Sequence, residues 1–244
     1  MKRLVVAACL AAAVPAFAAL AAPPTLEEVR KEMAIPSAGD VRGQLDGVGF
    51  ARTAEQMRRV SELSAAPPAP EPLGEVPAPG VAGAICPHDD HLYAGRVYRA
   101  TLPLVTAKTV VVVGVFHRFR RFDARDVLVF DPYRAWRAPD GEVPVSPLRE
   151  ELLGRLPKGD AIVDAAMHDA EHSVETIVHW LKHVRRDVEV VPILVPSMGW
   201  ARLSELGERL GAALAEVAKA RGLVPGRDLA VVVSADAVHY GQDF

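Results

Sequence analysis

Four short stretches of this 244-residue chain concentrate histidine and carboxylate side chains: Pro87-His88-Asp89-Asp90-His91, Phe116-His117, His168-Asp169-Ala170-Glu171-His172-Ser173-Val174-Glu175 and Ser234-Ala235-Asp236-Ala237-Val238-His239. Neutral imidazole and carboxylate together suit Fe(II), Zn(II), Cu or Mn. Two histidines and one carboxylate on one face leave coordination positions open for a substrate or dioxygen. Three histidines with a water suit hydrolytic zinc instead. Residue types alone leave both readings open. One strand-end histidine is readily a capping or solvated residue, but four such clusters at loop positions point jointly to a single site.

The elements around the clusters say what would gather them. Thr-Val-Val-Val-Val-Gly-Val-Phe at 109–116 reads as a strand buried on both faces. Residues 81–86, 126–130, 188–195 and 229–234 read as further strands. Helical patterns fall at 95–104, 147–155, 173–184 and 201–221. Apolar strands separated by amphipathic helices predict an α/β fold, a mostly parallel central sheet with helices on both faces. Ligands of open parallel sheets bind outside the carboxyl ends of the strands. His88, His117, Asp236 and His239 all fall just after predicted strands, and the Glu171-His172 cluster opens a helix. Residues 126–145 read as a hairpin excursion turning at Asp140-Gly141.

The rest of the chain sets the frame. Half of it is apolar, enough for one sizeable domain. A net charge of −3 and 6 % aromatic residues exclude a basic nucleic-acid stripe and a stacking platform for single strands. Residues 1–21 read as a signal peptide: Lys2 and Arg3, an apolar run from Leu4 to Val14, then Ala16-Phe17-Ala18 and Ala19-Leu20-Ala21 as cleavage boxes. Export to the bacterial periplasm is expected, with no membrane association after cleavage. Residues 22–65 read as a segment with two helices, 25–34 after the cap Thr25 and 53–64. Six prolines in 66–80 (Pro67, Pro68, Pro70, Pro72, Pro77 and Pro79) read as an extended tether to a domain over 81–244. Cys86 alone remains after processing and reads as a buried, inert thiol. His179 and His183, four apart on a helix with no adjacent glutamate, read as part of a solvated face.

Several motifs occur in a set order: Pro87-His88…Tyr93-x-Gly95, Gly114-x-x-His117, Ala138-Pro139-Asp140-Gly141-Glu142-Val143-Pro144-Val145, Glu171-His172-Ser173-x-Glu175, Val191-Pro192-Ile193-Leu194-Val195 and Ser234-x-Asp236-x-x-His239-x-Gly241. Over roughly residues 80–244 this resembles the Memo family, the AmmeMemoRadiSam system protein B group. The resemblance implies the fold of class III extradiol dioxygenases, with a metal cleft at the strand ends. It implies His88 and His117 as metal ligands, completed by Asp236 or His239. Glu171, His172 and His239 would serve catalysis as acid, base or supporting groups. One divalent or redox ion is implied, iron first and copper or zinc next, acting on a small-molecule or peptide ligand. A non-catalytic metal-binding or partner-binding protein on the same fold is the alternative, because fold does not settle function.

The chain departs from the family pattern in four places. His88-Asp89-Asp90-His91 stands for His-Ala-Gly-Tyr, and Gly114-Val115-Phe116-His117 for Gly-Pro-x-His. Val41 to Phe50 replaces the motif Ser-His-Ala-Gly-x-Trp-Tyr. The chain stops at Phe244, where the resemblance implies further elements and a cysteine ligand, so it reads as shortened.

Overall fold

The computed structural model describes residues 22–35, 37–66 and 78–236. The signal-like segment, most of the proline stretch and His239 lie outside the described residues. In chain order the elements are α1 (Leu26–Met33), β1 (Val41–Arg42), α2 (Ala54–Ser64), β2 (Gly83–Cys86), α3 (His91–Thr101), β3 (Thr109–Phe116), β4 (Leu128–Phe130), β5 (Ala135–Ala138) and β6 (Gly141–Pro144). There follow α4 (Leu148–Arg155), β7 (Ala161–Val163), α5 (Ala165–Asp169), α6 (Glu175–Val184), β8 (Glu189–Pro196), α7 (Trp200–Arg221) and β9 (Leu229–Ser234).

Six strands form the central sheet in the order β2-β9-β3-β8-β4-β7. Every neighbouring pair is parallel except β4 with β8. The residues of β3 alternate between the two faces, as a pleated strand requires. Val110 and Val112 join one core with Tyr98, Trp180 and Val232, while Val111 joins the other with Leu152, Leu206 and Val217. α3 and α6 thus cover one face, and α4 and α7 the other. Each fully buried Val or Leu contributes about 1.5–3 kcal/mol, so a strand apolar on both faces holds only where both are covered.

Register prepares the site. Cys86 lies opposite Ser234, and Ser234 opposite Gly114. His88, Asp236 and His117 therefore leave the sheet within three residues of one row.

The N-terminal helices share this core, because Val29, Met57 and Val60 pack into the Tyr98–Trp180 cluster. A second sheet, in the order β1-β5-β6, pairs β1 in parallel with β5. Two expectations change in detail. The hairpin is β5–β6, outside the central sheet, and Ala138 pairs with Gly141, so Pro139-Asp140 makes the turn. The helix expected over 95–104 begins earlier, at His91, because the Asp90 carboxylate accepts the Tyr93 N–H at 2.6 Å and caps it. Past Thr101 it tightens into a 3-10 turn over Leu102–Leu104.

Cys86 is buried, and burial pushes its thiol up to about 12 against a hydrogen bond from Thr101. The thiolate that would react is thus suppressed. Among the described residues no helix is long and apolar enough to cross a membrane.

Candidate metal centre

Three imidazoles converge beyond the carboxyl edge of the sheet. His88 follows β2, His117 follows β3, and His172 sits in the loop between α5 and α6. The ring centroids of His88 and His117 are 5.0 Å apart, of His88 and His172 5.7 Å, and of His117 and His172 5.3 Å. One ring nitrogen from each lies within 4.8 Å of the others, so the three can share one ion.

Each ring is held by a carboxylate. Asp236 Oδ2 lies 3.1 Å from His88 Nε2, Glu171 Oε1 lies 2.9 Å from His117 Nδ1, and Asp46 Oδ2 lies 2.9 Å from His172 Nδ1. A ligating histidine commonly donates its second N–H to such an acceptor, which fixes its tautomer and orientation. Each ring is left with one nitrogen for a ligand. That nitrogen in His88, Nδ1, is buried and without a hydrogen-bond partner. A buried polar atom left so costs about 1–3 kcal/mol, a cost that a ligand to this nitrogen, an ion among them, would remove. The donor set therefore fits a divalent or redox metal.

The electrostatics follow from burial and partners. Burial alone would raise Glu171, but the His117 ring and the N–H groups of Ser173 and His117 outweigh it and hold the carboxyl below its ordinary range. Its oxygens also accept the His172 N–H at 2.8 Å. Burial pulls His88 down, which Asp236 opposes and the other two rings reinforce. Burial would lower His172 too, but Asp46 reverses the direction and raises it.

Local packing explains why the sequence folds this way. Ser173 Oγ donates to the Val115 carbonyl at 2.7 Å, and Ser234 Oγ donates to the Ser173 carbonyl. The loop carrying Glu171 and His172 thus lies directly on β3 and β9. A Cβ at Gly114 would collide with Ser173 Oγ, so the glycine lets the loop seat.

The third carboxylate, Asp46, was not legible as a site residue. It arrives from the stretch that lacks the family motif. Glu175 accepts the Leu45 N–H at 2.9 Å and the Asp46 N–H at 3.0 Å. Glu175 is ion-paired with Arg42, whose guanidinium donates to the Glu171 carbonyl at 2.7 Å and lies 4.4 Å from the Trp136 ring centre. One buried pair thus ties the 42–46 segment to the histidine loop. Asp46 stands alone among carboxylates between Asp40 and Glu55, a weak signal that spacing could not promote.

The other residues singled out in the sequence fall as follows. Asp236 reaches the ring of His88, and Glu171 the ring of His117. Asp90 caps α3, and Asp89 accepts the Asp90 N–H at 2.7 Å. His168 is fully buried on the Val129 carbonyl and pushed down to about 3 by burial. Asp169 binds Arg30 at 3.1 Å. The solvated face expected for His179 and His183 is corrected. His179 is fully buried, 3.4 Å from the His91 ring nitrogen, and His183 bonds Asp140 at 2.9 Å. The reason is that α6 is enclosed by α3 and the β5–β6 hairpin, so its polar residues find partners inside.

Asp46→Asn is expected to weaken metal binding about 10- to 100-fold, the usual effect of losing a carboxylate behind a ligating histidine, while the unfolding midpoint stays near the parent's. Calorimetric titration of both proteins checks this. Equal affinities would remove Asp46 from the site.

Beside the rings lies a cavity of about 270 Å³, onto which His117, His172, Glu171 and Asp46 open. His117 is 42 % exposed and His172 39 %, so the cluster can be reached from this side.

Residues 47–244 match the family model described as Memo-like protein, which takes in α2 as well as the region of the motifs. A MEMO1 family protein of Thermococcus kodakarensis is 27 % identical over 172 residues, covering 66 % of this chain and 54 % of that protein. One of Archaeoglobus fulgidus is 29 % identical over 164 residues, covering 67 % and 57 %. One of Methanothermobacter thermautotrophicus is 26 % identical over 175 residues, covering 68 % and 58 %. The chain spans about half the length of the curated relatives it matches.

Proposed function

This chain belongs to the Memo-like family, and we propose that His88, His117 and His172 hold one metal ion, iron first and copper or zinc next, in an exported metal-dependent oxidoreductase of dioxygenase-like type. The observation that carries the reading is the set of three imidazoles, each backed by its own carboxylate, with the buried Nδ1 of His88 left unpartnered. A bound ion would supply Lewis acidity and, if redox-active, an electron. The chain's own residues do the rest. Asp236, Glu171 and Asp46 orient the three rings and, in the neutral imidazole, fix the N–H on the nitrogen turned away from the ion. The cavity admits a small molecule beside His117 and His172. His172, which the sequence resemblance implies as an acid or base, here completes the metal's protein shell. His239 is left as the group proposed to move a proton, three residues beyond Asp236.

Titration of the metal-free protein with Fe(II), Zn(II) and Cu(I) tests the reading. His88→Ala with His117→Ala is expected to weaken the preferred metal at least 100-fold. Equal binding by parent and double variant contradicts it.

Export is supported by the charged, apolar and small-residue pattern of residues 1–21. N-terminal sequencing of the secreted protein should begin at Ala19 or Ala22, and a retained Met1 would contradict export.

A further inference from the structure

One wall of the cavity beside the cluster is not used by the metal reading. Arg118 directly follows His117 and lines the same cavity as Met33, Leu45 and Ala170. Three other arginines, two from the N-terminal segments and one from the same loop, are committed. Arg30 pairs with Asp169, Arg42 with Glu175 and Arg121 with Glu32. Among the described residues Arg118 has no carboxylate within ion-pair distance, and its guanidinium donates to the sulfur of Met33 at 3.4 Å. A thioether is a weak acceptor. A guanidinium offers five N–H groups in a fork that matches a carboxylate, and because Arg118 is exposed its remaining donors face water that a carboxylate would displace.

We propose that the cavity binds a small carboxylate-bearing molecule, whose carboxylate is clamped by Arg118 while its other end faces His117 and His172. The proposal rests on the metal reading for the role of that second end, not for the clamp. Asp46 and Glu171 line the cavity and would repel an anion, but each is engaged by a histidine ring. Arg118 is the cation placed to offset them. The size also selects. Small-molecule sites run from about 300 to 1,000 Å³, and about 270 Å³ sits below that range. Met33, Leu45 and Ala170 give the body of the molecule an apolar wall, and the carboxylate contact supplies discrimination against uncharged analogues.

Benzoate and its neutral isostere benzamide are the probes, titrated by ligand-observed NMR into the full chain with and without Zn(II). Zn(II) affinity is measured in the same samples. Benzoate should bind saturably, and benzamide at least tenfold more weakly. Arg118→Gln should weaken benzoate at least tenfold with Zn(II) affinity within threefold of the parent's. Arg120→Gln, which alters an exposed arginine two residues away, should bind benzoate as the parent does. Equal benzoate binding by parent and Arg118→Gln, equal binding of the two probes, or no saturable benzoate binding in either form overturns the proposal. Failure of the parent to bind Zn(II) would instead defeat the metal reading, and the anion clamp would still be decided on the metal-free protein.

Discussion

Glu175→Gln is expected to destabilise the protein by about 3–5 kcal/mol, the usual cost of removing one partner of a buried ion pair. The side chains of Arg42 and Glu175 have no exposed surface. Burial already pushes the Arg42 guanidinium down, and the nearby Asp169, Tyr133, Asp46 and Glu171 oppose it. Glutamine keeps the shape and its one amide oxygen can still accept from Leu45 and Asp46, but its NH2 then faces the Arg42 guanidinium, so the loss reports the missing charge together with the missing acceptor. Total stabilities of about 5–15 kcal/mol leave little reserve after such a change. Urea unfolding checks it: the midpoint should fall sharply with the slope unchanged. Arg134→Gln, at an exposed pair with Asp40 and Glu142, should leave the midpoint where it was. A parent-like midpoint for Glu175→Gln would show that the pair does not tie the 42–46 segment to the histidine loop.

Acidification should cost nearly as much. His91 and His168 are kept neutral in the fold by burial, which pushes them down from 6.5 to about 4 and about 3. His179 is lowered in the same sense, first by burial and then by His91. Between those values and 6.5 the unfolded chain binds protons that the native chain does not, so stability falls as pH falls. Each group contributes about 1.4 kcal/mol per pH unit in its window. For His91 that amounts to roughly 3 kcal/mol from pH 6.5 to about 4. Asp131 works the other way. Burial raises it from 3.8 to about 6 against Trp136 and Arg149, so between those values the native state holds a proton that the unfolded state releases. It cancels about one histidine's worth of slope, and the remaining histidines set the sign. Unfolding measured from pH 6.5 to 4.5 should show a steady loss of stability. His91→Gln, whose amide oxygen can accept the Ala51 N–H that His91 Nδ1 now takes at 3.1 Å, should remove about 1.4 kcal/mol per pH unit from that slope below pH 6.5. A flat pH profile, or the same slope in the variant, would contradict burial of neutral imidazoles.

The centre of the sheet was legible in the sequence because its strands are apolar on both faces. Thr109–Phe116 and Leu229–Ser234 carry the boundaries read from composition. Their register places His88, His117 and Asp236 near one row, which is why strand-end histidines could be read as one site. Three short elements escaped. β1 has two residues, β7 three and α5 five, fewer than periodicity needs. α6 escaped in a different way. Its amphipathic pattern was right, but Glu175, Thr176 and His179 are polar and fully buried. Glu175 meets Arg42 across 133 residues of chain and His179 meets His91 across 88. Such partners exist only in the tertiary fold, and Asp46 was hidden for the same reason.

The central claim is that imidazoles from three separate segments share one ion. X-ray absorption fine structure on the metal-loaded parent and on His172→Ala tests it most directly. The account predicts three imidazole nitrogens around the metal in the parent and two in the variant. A parent spectrum without an imidazole shell, or an unchanged imidazole count in His172→Ala, would contradict it.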